Sequence, residues 1–112
     1  MSDKDSVAFE AIAEYCDLIL ETAEEFDYDY ATFENSPVYY NSMLMWVQQI
    51  GERVKKLTDS GREELDRVID SRDIIAVRNR IAHGYDSLHE STIWEIITDH
   101  IPELKAFCES QF

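Results

Sequence analysis

The sequence predicts an all-α protein, an antiparallel bundle of four to five helices joined by short loops. Three observations lead there. Apolar side chains recur at three- and four-residue steps through most of the 112 residues. Only three glycines and two prolines interrupt them, which leaves few turns. Apolar residues make up 45% of the chain, enough for a packed core and too many for a disordered segment.

The first helix is expected from about residue 5 to 26. Ala8, Ile12, Cys16, Ile19, Ala23 and Phe26 share one face there, with Glu10, Glu14, Asp17, Glu21 and Glu24 mostly on the other. Residues 27–35, rich in Asp and Tyr, break the pattern. Ser36 then reads as an N-cap and Pro37 as the first residue of a helix running to about Leu57. Its stripe is Met43, Val47, Ile50, Val54 and Leu57, with Trp46 beside it. Gly51 inside that helix costs about 1 kcal/mol relative to alanine, so it is read as a point of close packing against another helix. A loop at 58–61 leads into a weaker helical segment, 63–69. The best-defined later helix is 72–83, RDIIAVRNRIAH, with Gly84 in the position of a left-handed C-cap. After a loop at 85–90, Thr92 and Glu95 have the spacing of a capping box. They open a last helix carrying Ile93, Ile96, Ile97, Leu104 and Phe107, which Pro102 should kink or restart.

No repeat, low-complexity tract or linker divides the chain, so residues 1–112 are expected to form one domain. No run of residues has the length and apolarity of a membrane span. The acidic start lacks the basic-then-apolar pattern of a secretion signal, so a cytoplasmic location without membrane association is expected. Cys16 and Cys108 fit that compartment as small buried apolar residues rather than as a disulfide.

A net charge of −14 weighs against a polyanionic partner, because nucleic acid draws its non-specific affinity from Lys and Arg. The distribution is more informative than the total. Residues 1–50 hold one basic residue against eleven acidic ones, and residues 86–112 hold one against six. Residues 51–85 hold eight basic residues against seven acidic. Any anionic ligand is therefore expected in the central third.

That third contains the run Arg78-Asn79-Arg80-Ile81-Ala82-His83-Gly84-Tyr85, in which an Arg is followed after four residues by a His and then, one residue on, by a Tyr. The pattern resembles the Arg-x4-His-x-Tyr signature of HepT-like proteins of the HEPN superfamily. Its flanks are similar as well: Ile50-Gly51-Glu52 with Val54-Lys55-Lys56-Leu57, and Ile93-Trp94-Glu95-Ile96-Ile97 with Ile101-Pro102-Glu103-Leu104. The resemblance spans roughly residues 8 to 108 and implies a single bundle of HEPN type. It further implies a metal-independent endoribonuclease toxin that acts as a homodimer, lining one cleft with the Arg and His of both protomers. Its partner would be a minimal nucleotidyltransferase antitoxin of the MNT type, which silences the toxin by transferring AMP to the motif tyrosine, here Tyr85. The RNA substrate would be a tRNA or mRNA, and no cofactor is implied.

The residue chemistry is compatible with that role. Cleavage through the ribose 2′-hydroxyl needs a proton acceptor, a proton donor and fixed positive charge at the phosphate. His83 is suited to the proton transfers and Arg78 to the phosphate. Asn79 would orient them, and Arg80 is either an RNA contact or a surface charge. Simpler readings stand beside these. His83 could cap a helix end, Arg78 could pair with Glu52 or another acid of the second long helix, and Tyr85 could pack in the core. Arg78 and His83 also point about 140° apart on an ideal helix, which a site built across a dimer would relieve. His89 and His100 show no metal-ligand spacing with each other or with the cysteines. A second function class remains: a non-catalytic substrate-binding or regulatory subunit of a two-component nucleotidyltransferase, which the negative charge favours.

Overall fold

The computed structural model describes residues 2–84 and 88–112. Its elements are α1 (Asp3–Glu25), α2 (Tyr30–Asn35), α3 (Pro37–Lys55), α4 (Asp59–Asp66), α5 (Ser71–Gly84), α6 (Glu90–Glu95), a π-helical turn (Ile96–His100) and α7 (Ile101–Glu109). No strand occurs among the described residues. The all-α expectation holds: α1, α3, α5 and the interrupted α6–α7 form the bundle, and α2 and α4 are short connectors.

α1 begins at Ser2, whose hydroxyl accepts from the Asp5 N–H, and places Asp3 and Asp5 at the positive end of the helix dipole. It buries Ala8, Phe9, Ile12, Ala13, Cys16, Ile19 and Ala23, each large apolar side chain worth roughly 1.5–3 kcal/mol. The helix ends without a glycine. Asp27 and Tyr28 both take left-handed conformations (φ 57° and 51°), and their N–H groups close back on the carbonyls of Glu24 and Ala23. Asp29 then caps α2, a helix the sequence pattern did not reveal, accepting from the Ala31 N–H and the Thr32 hydroxyl. α2 drives Phe33 fully into the core, where it meets Tyr39, Tyr40 and Trp94.

Ser36 caps α3 with Pro37 behind it, as expected. The start of α3 meets the end of α1 through stacked Phe26 and Tyr39. Just past its far end Thr58 meets Asp5 at the start of α1, so the two helices run antiparallel. α4 starts earlier than the sequence pattern indicated, because Thr58 caps it by accepting from the Gly61 N–H. The capping box at Thr92 and Glu95 does not form. α6 already starts at Glu90, with His89 at the cap position and no side-chain cap bond. Pro102 acts as expected, through a widened turn: it has no N–H for the Thr98 carbonyl, and just before it the Ile101 N–H reaches back five residues to Ile96. Cys16 and Cys108 are buried free thiols. Burial raises the pKa of both, that of Cys108 to about 12.

Asp5 is a buried carboxylate tying α1 to α4. It accepts from the Thr58 N–H and hydroxyl, and a Cβ at Gly61 would lie 2.7 Å from its Cγ. Burial alone would raise its pKa, but the hydrogen bonds from Thr58 outweigh this and hold it below the ordinary carboxylate value. A folded-state pKa below the unfolded one stabilises the fold above about pH 4 and ceases to do so as pH falls through the folded value. Asp5→Asn is therefore expected to cost about 2 kcal/mol at neutral pH, since it reverses one donor–acceptor pair in a buried site. Urea melts of both proteins from neutral to acidic pH should show the gap narrowing below about pH 4; a pH-independent gap would contradict this account.

Candidate functional site

The motif residues are carried by α5, held at its start by carboxylates. Asp66 accepts from the Ser71 N–H and Asp70 from the Arg72 N–H. One side of α5 faces the bundle, with Ser71 and Ile81 buried and Ile74, Ile75 and Val77 half-buried. The opposite side exposes Arg72, Ala76, Asn79, Arg80 and His83.

Arg78 lies on the inner side, its side chain 16% exposed. Its Nε and one terminal nitrogen donate to a single oxygen of Glu52 on α3, and its other terminal nitrogen donates to Asn79 Oδ1 at 2.8 Å. Three of the five guanidinium N–H donors are thus engaged among the described residues. The contact depends on Gly51. A Cβ there would fall 2.3 Å from Arg78 Cβ and 2.7 Å from its Cγ, so only glycine lets α5 lie this close. Both expectations, the tight packing at Gly51 and the pairing with Glu52, are met at one point.

His83 is exposed on the last turn of α5, four residues beyond Asn79 on the outer side. It stands about 7.5 Å further along the axis than Arg78 and about 140° around it. The chain by itself therefore brings Arg78, Asn79 and Glu52 together and leaves His83 facing outward. Gly84 differs from expectation: it is the last helical residue and has no positive φ. Tyr85 lies outside the described residues.

Two hollows flank α5. One, about 260 Å³, is lined mostly by apolar residues, including Val47, Ile50, Ile69, Ile74, Val77 and Ile96, together with Asp73, Glu95 and His100. The other, about 400 Å³, lies between the end of α3, α4 and the outer side of α5, and is lined by Lys55, Arg62, Arg72, Ile75, Ala76 and Asn79. The convergence of these three cations from three helices was not foreseen. Only their concentration in the central third hinted at it. Among the described residues no group of three or more His, Cys, Asp or Glu side chains is placed to hold a metal ion, and no helix is long and apolar enough to cross a membrane.

Residues 12–111 match the family model for HepT-like ribonucleases. The chain belongs to the HepT-like family. A relative from Caldanaerobacter subterraneus subsp. tengcongensis is 29% identical over 96 residues, covering 86% of this chain and 83% of the relative. Two relatives from Methanocaldococcus jannaschii are each 29% identical over 94 residues, or 84% of this chain, and 78% and 75% of their own lengths. All three bear the name "Putative RNase". No solved structure matches. The HepT-like family and the all-helical bundle agree with what the motif and its flanks imply.

Proposed function

We propose that this HepT-like protein is a metal-independent endoribonuclease of the toxin type, acting as a homodimer. The observation that carries the reading is the held guanidinium of Arg78, fixed by Glu52 and Asn79, in the same motif as an exposed histidine. Arg78 stabilises the pentavalent phosphate. One His83 takes the proton from the ribose 2′-hydroxyl as that oxygen bonds to phosphorus. The second His83, from the partner protomer, protonates the departing 5′-oxygen. The products are a 2′,3′-cyclic phosphate and a 5′-hydroxyl. The angular separation of Arg78 and His83 on α5 supports a site shared across a two-fold axis, and the half-buried Ile69, Ile74, Val77 and Ile96 supply apolar area for such an interface. Arg80 is a further candidate RNA contact. The partner antitoxin is an MNT-type nucleotidyltransferase that transfers AMP to Tyr85, and the pair works in the cytoplasm.

Purified protein incubated with total RNA and EDTA should yield fragments ending in cyclic phosphate, with His83→Ala protein purified in parallel as the blank. Equal fragmentation by both, or none by either, would refute the reading. The net charge of −14 favours a second reading, a non-catalytic binding subunit of a nucleotidyltransferase. Expression without the partner separates the two, since growth arrest follows only from the nuclease.

A further inference from the structure

The basic groove between the end of α3, α4 and the outer side of α5 has no part in the chemistry above. Among the described residues its lining holds three cations and no carboxylate, in a chain where acidic residues outnumber basic ones 24 to 10. Arg72 is engaged by Asp70 through two hydrogen bonds, at 3.2 and 2.9 Å. Lys55 and Arg62 make no ion pair among the described residues; Arg62 donates only to the Ser71 hydroxyl, at 3.3 Å. Asp66 is near enough to act on Arg62 and Arg72 electrostatically, but among the described residues no carboxylate comes within ion-pair distance of Lys55 or Arg62 and none lines the groove. Cations gathered in a groove whose walls carry no carboxylate are placed to take an external anion.

The groove also has a direction. Asn79 lines it and accepts from Arg78 with its Oδ1, so the groove reaches a residue that holds the guanidinium. Arg72, Ala76, Asn79 and His83 follow one another along the exposed side of α5, spanning about 16 Å of helix axis. Small Ala76 lets a ligand backbone lie against the helix between the flanking cations. An anion with charges repeated along a strand fits this better than a compact one.

We infer that the groove is a substrate subsite that binds the sugar–phosphate backbone of single-stranded RNA a few nucleotides from the scissile phosphate, with Lys55 and Arg62 each neutralising a phosphate. This rests on the ribonuclease reading of the Arg78–His83 site. It assigns to an otherwise acidic protein the place where RNA enters.

The test compares the Lys55→Gln/Arg62→Gln variant with a control, Lys4→Gln/Lys105→Gln, that removes the same charge from α1 and α7. For an oligouridine of about 20 nucleotides, the groove variant should lose roughly tenfold in kcat/KM, and its dependence on log salt should become shallower by about 1.4, or 0.7 per lost contact. The control should match the wild type. A dinucleotide too short to reach the groove should suffer a smaller loss than the oligouridine. Equal effects in groove variant and control, or equal losses on both substrates, would overturn the subsite while leaving the nuclease standing. If the wild type cleaves nothing, the same comparison by fluorescence anisotropy decides: groove-dependent RNA binding keeps the subsite and discards the nuclease, and absent binding discards both. Stronger competition for the groove by polyglutamate than by oligouridine would assign it to an acidic protein instead, against the proposal. Should the double variant fold poorly, exposed Lys55→Gln alone is expected to lose about threefold, with a slope change of about 0.7.

Discussion

Gly51→Ala is expected to destabilise the protein by about 2 kcal/mol, although alanine is the better helix former by about 1 kcal/mol. The sign is set by the contact with α5. The new methyl would sit 2.3 Å from Arg78 Cβ and 2.7 Å from Cγ, and no rotamer change can move Cβ, which the backbone fixes. α3 and α5 must separate, and overpacking of this kind costs about 1–3 kcal/mol. Separation also lengthens the Glu52–Arg78 pair, so cleavage should fall further than stability alone would dictate. Urea unfolding and RNA cleavage on the same preparation check both parts. A variant as stable as the wild type would show that the helices are not held at this distance.

Arg78→Ala and His83→Ala should each lower kcat/KM on RNA by at least about 100-fold, the usual scale for loss of a transition-state charge or a proton-transfer group. Arg78→Lys should fare little better, since a point charge cannot meet Glu52 and Asn79 together and still offer donors to a phosphate. Mixing the two alanine variants is the sharper experiment. Where the site draws on both protomers, random exchange makes about half of the dimers mixed, each holding one Arg78 and one His83 on opposite chains. Such a dimer lacks one of the two histidines, so activity should rise above that of either variant alone and stay below about a quarter of the wild type. No recovery after confirmed subunit exchange would count against a site shared between protomers.

Much of the fold was legible because local rules and packing agree. The stripe of α1, the Ser36–Pro37 start of α3 and the close approach at Gly51 each follow from residues whose meaning is local or nearly so. Features set by distant partners were not legible. Asp5 looks like any acid in a first helical turn, and only the arrival of Thr58 makes it a buried anchor. The end of α1 relies on Asp27 and Tyr28 in conformations usually left to glycine, which hid both the turn and α2 after it. The same division applies to the candidate site. The Arg–His spacing and the Glu52 partner were readable along the chain. The meeting of Lys55, Arg62 and Arg72 needed three helices in place.

Only two of the fourteen residues of α5, Ser71 and Ile81, are fully buried, against eight in α1. Of the three long helices it leaves the largest share of its residues uncovered, and its hold on the bundle is concentrated in the seam with α3 at Gly51 and Arg78. Opening of that seam should expose α5 before α1 or α3, on a smaller free energy than global unfolding. Whatever clasps it, a second subunit or a strand of RNA, would gain part of its hold by quieting that motion.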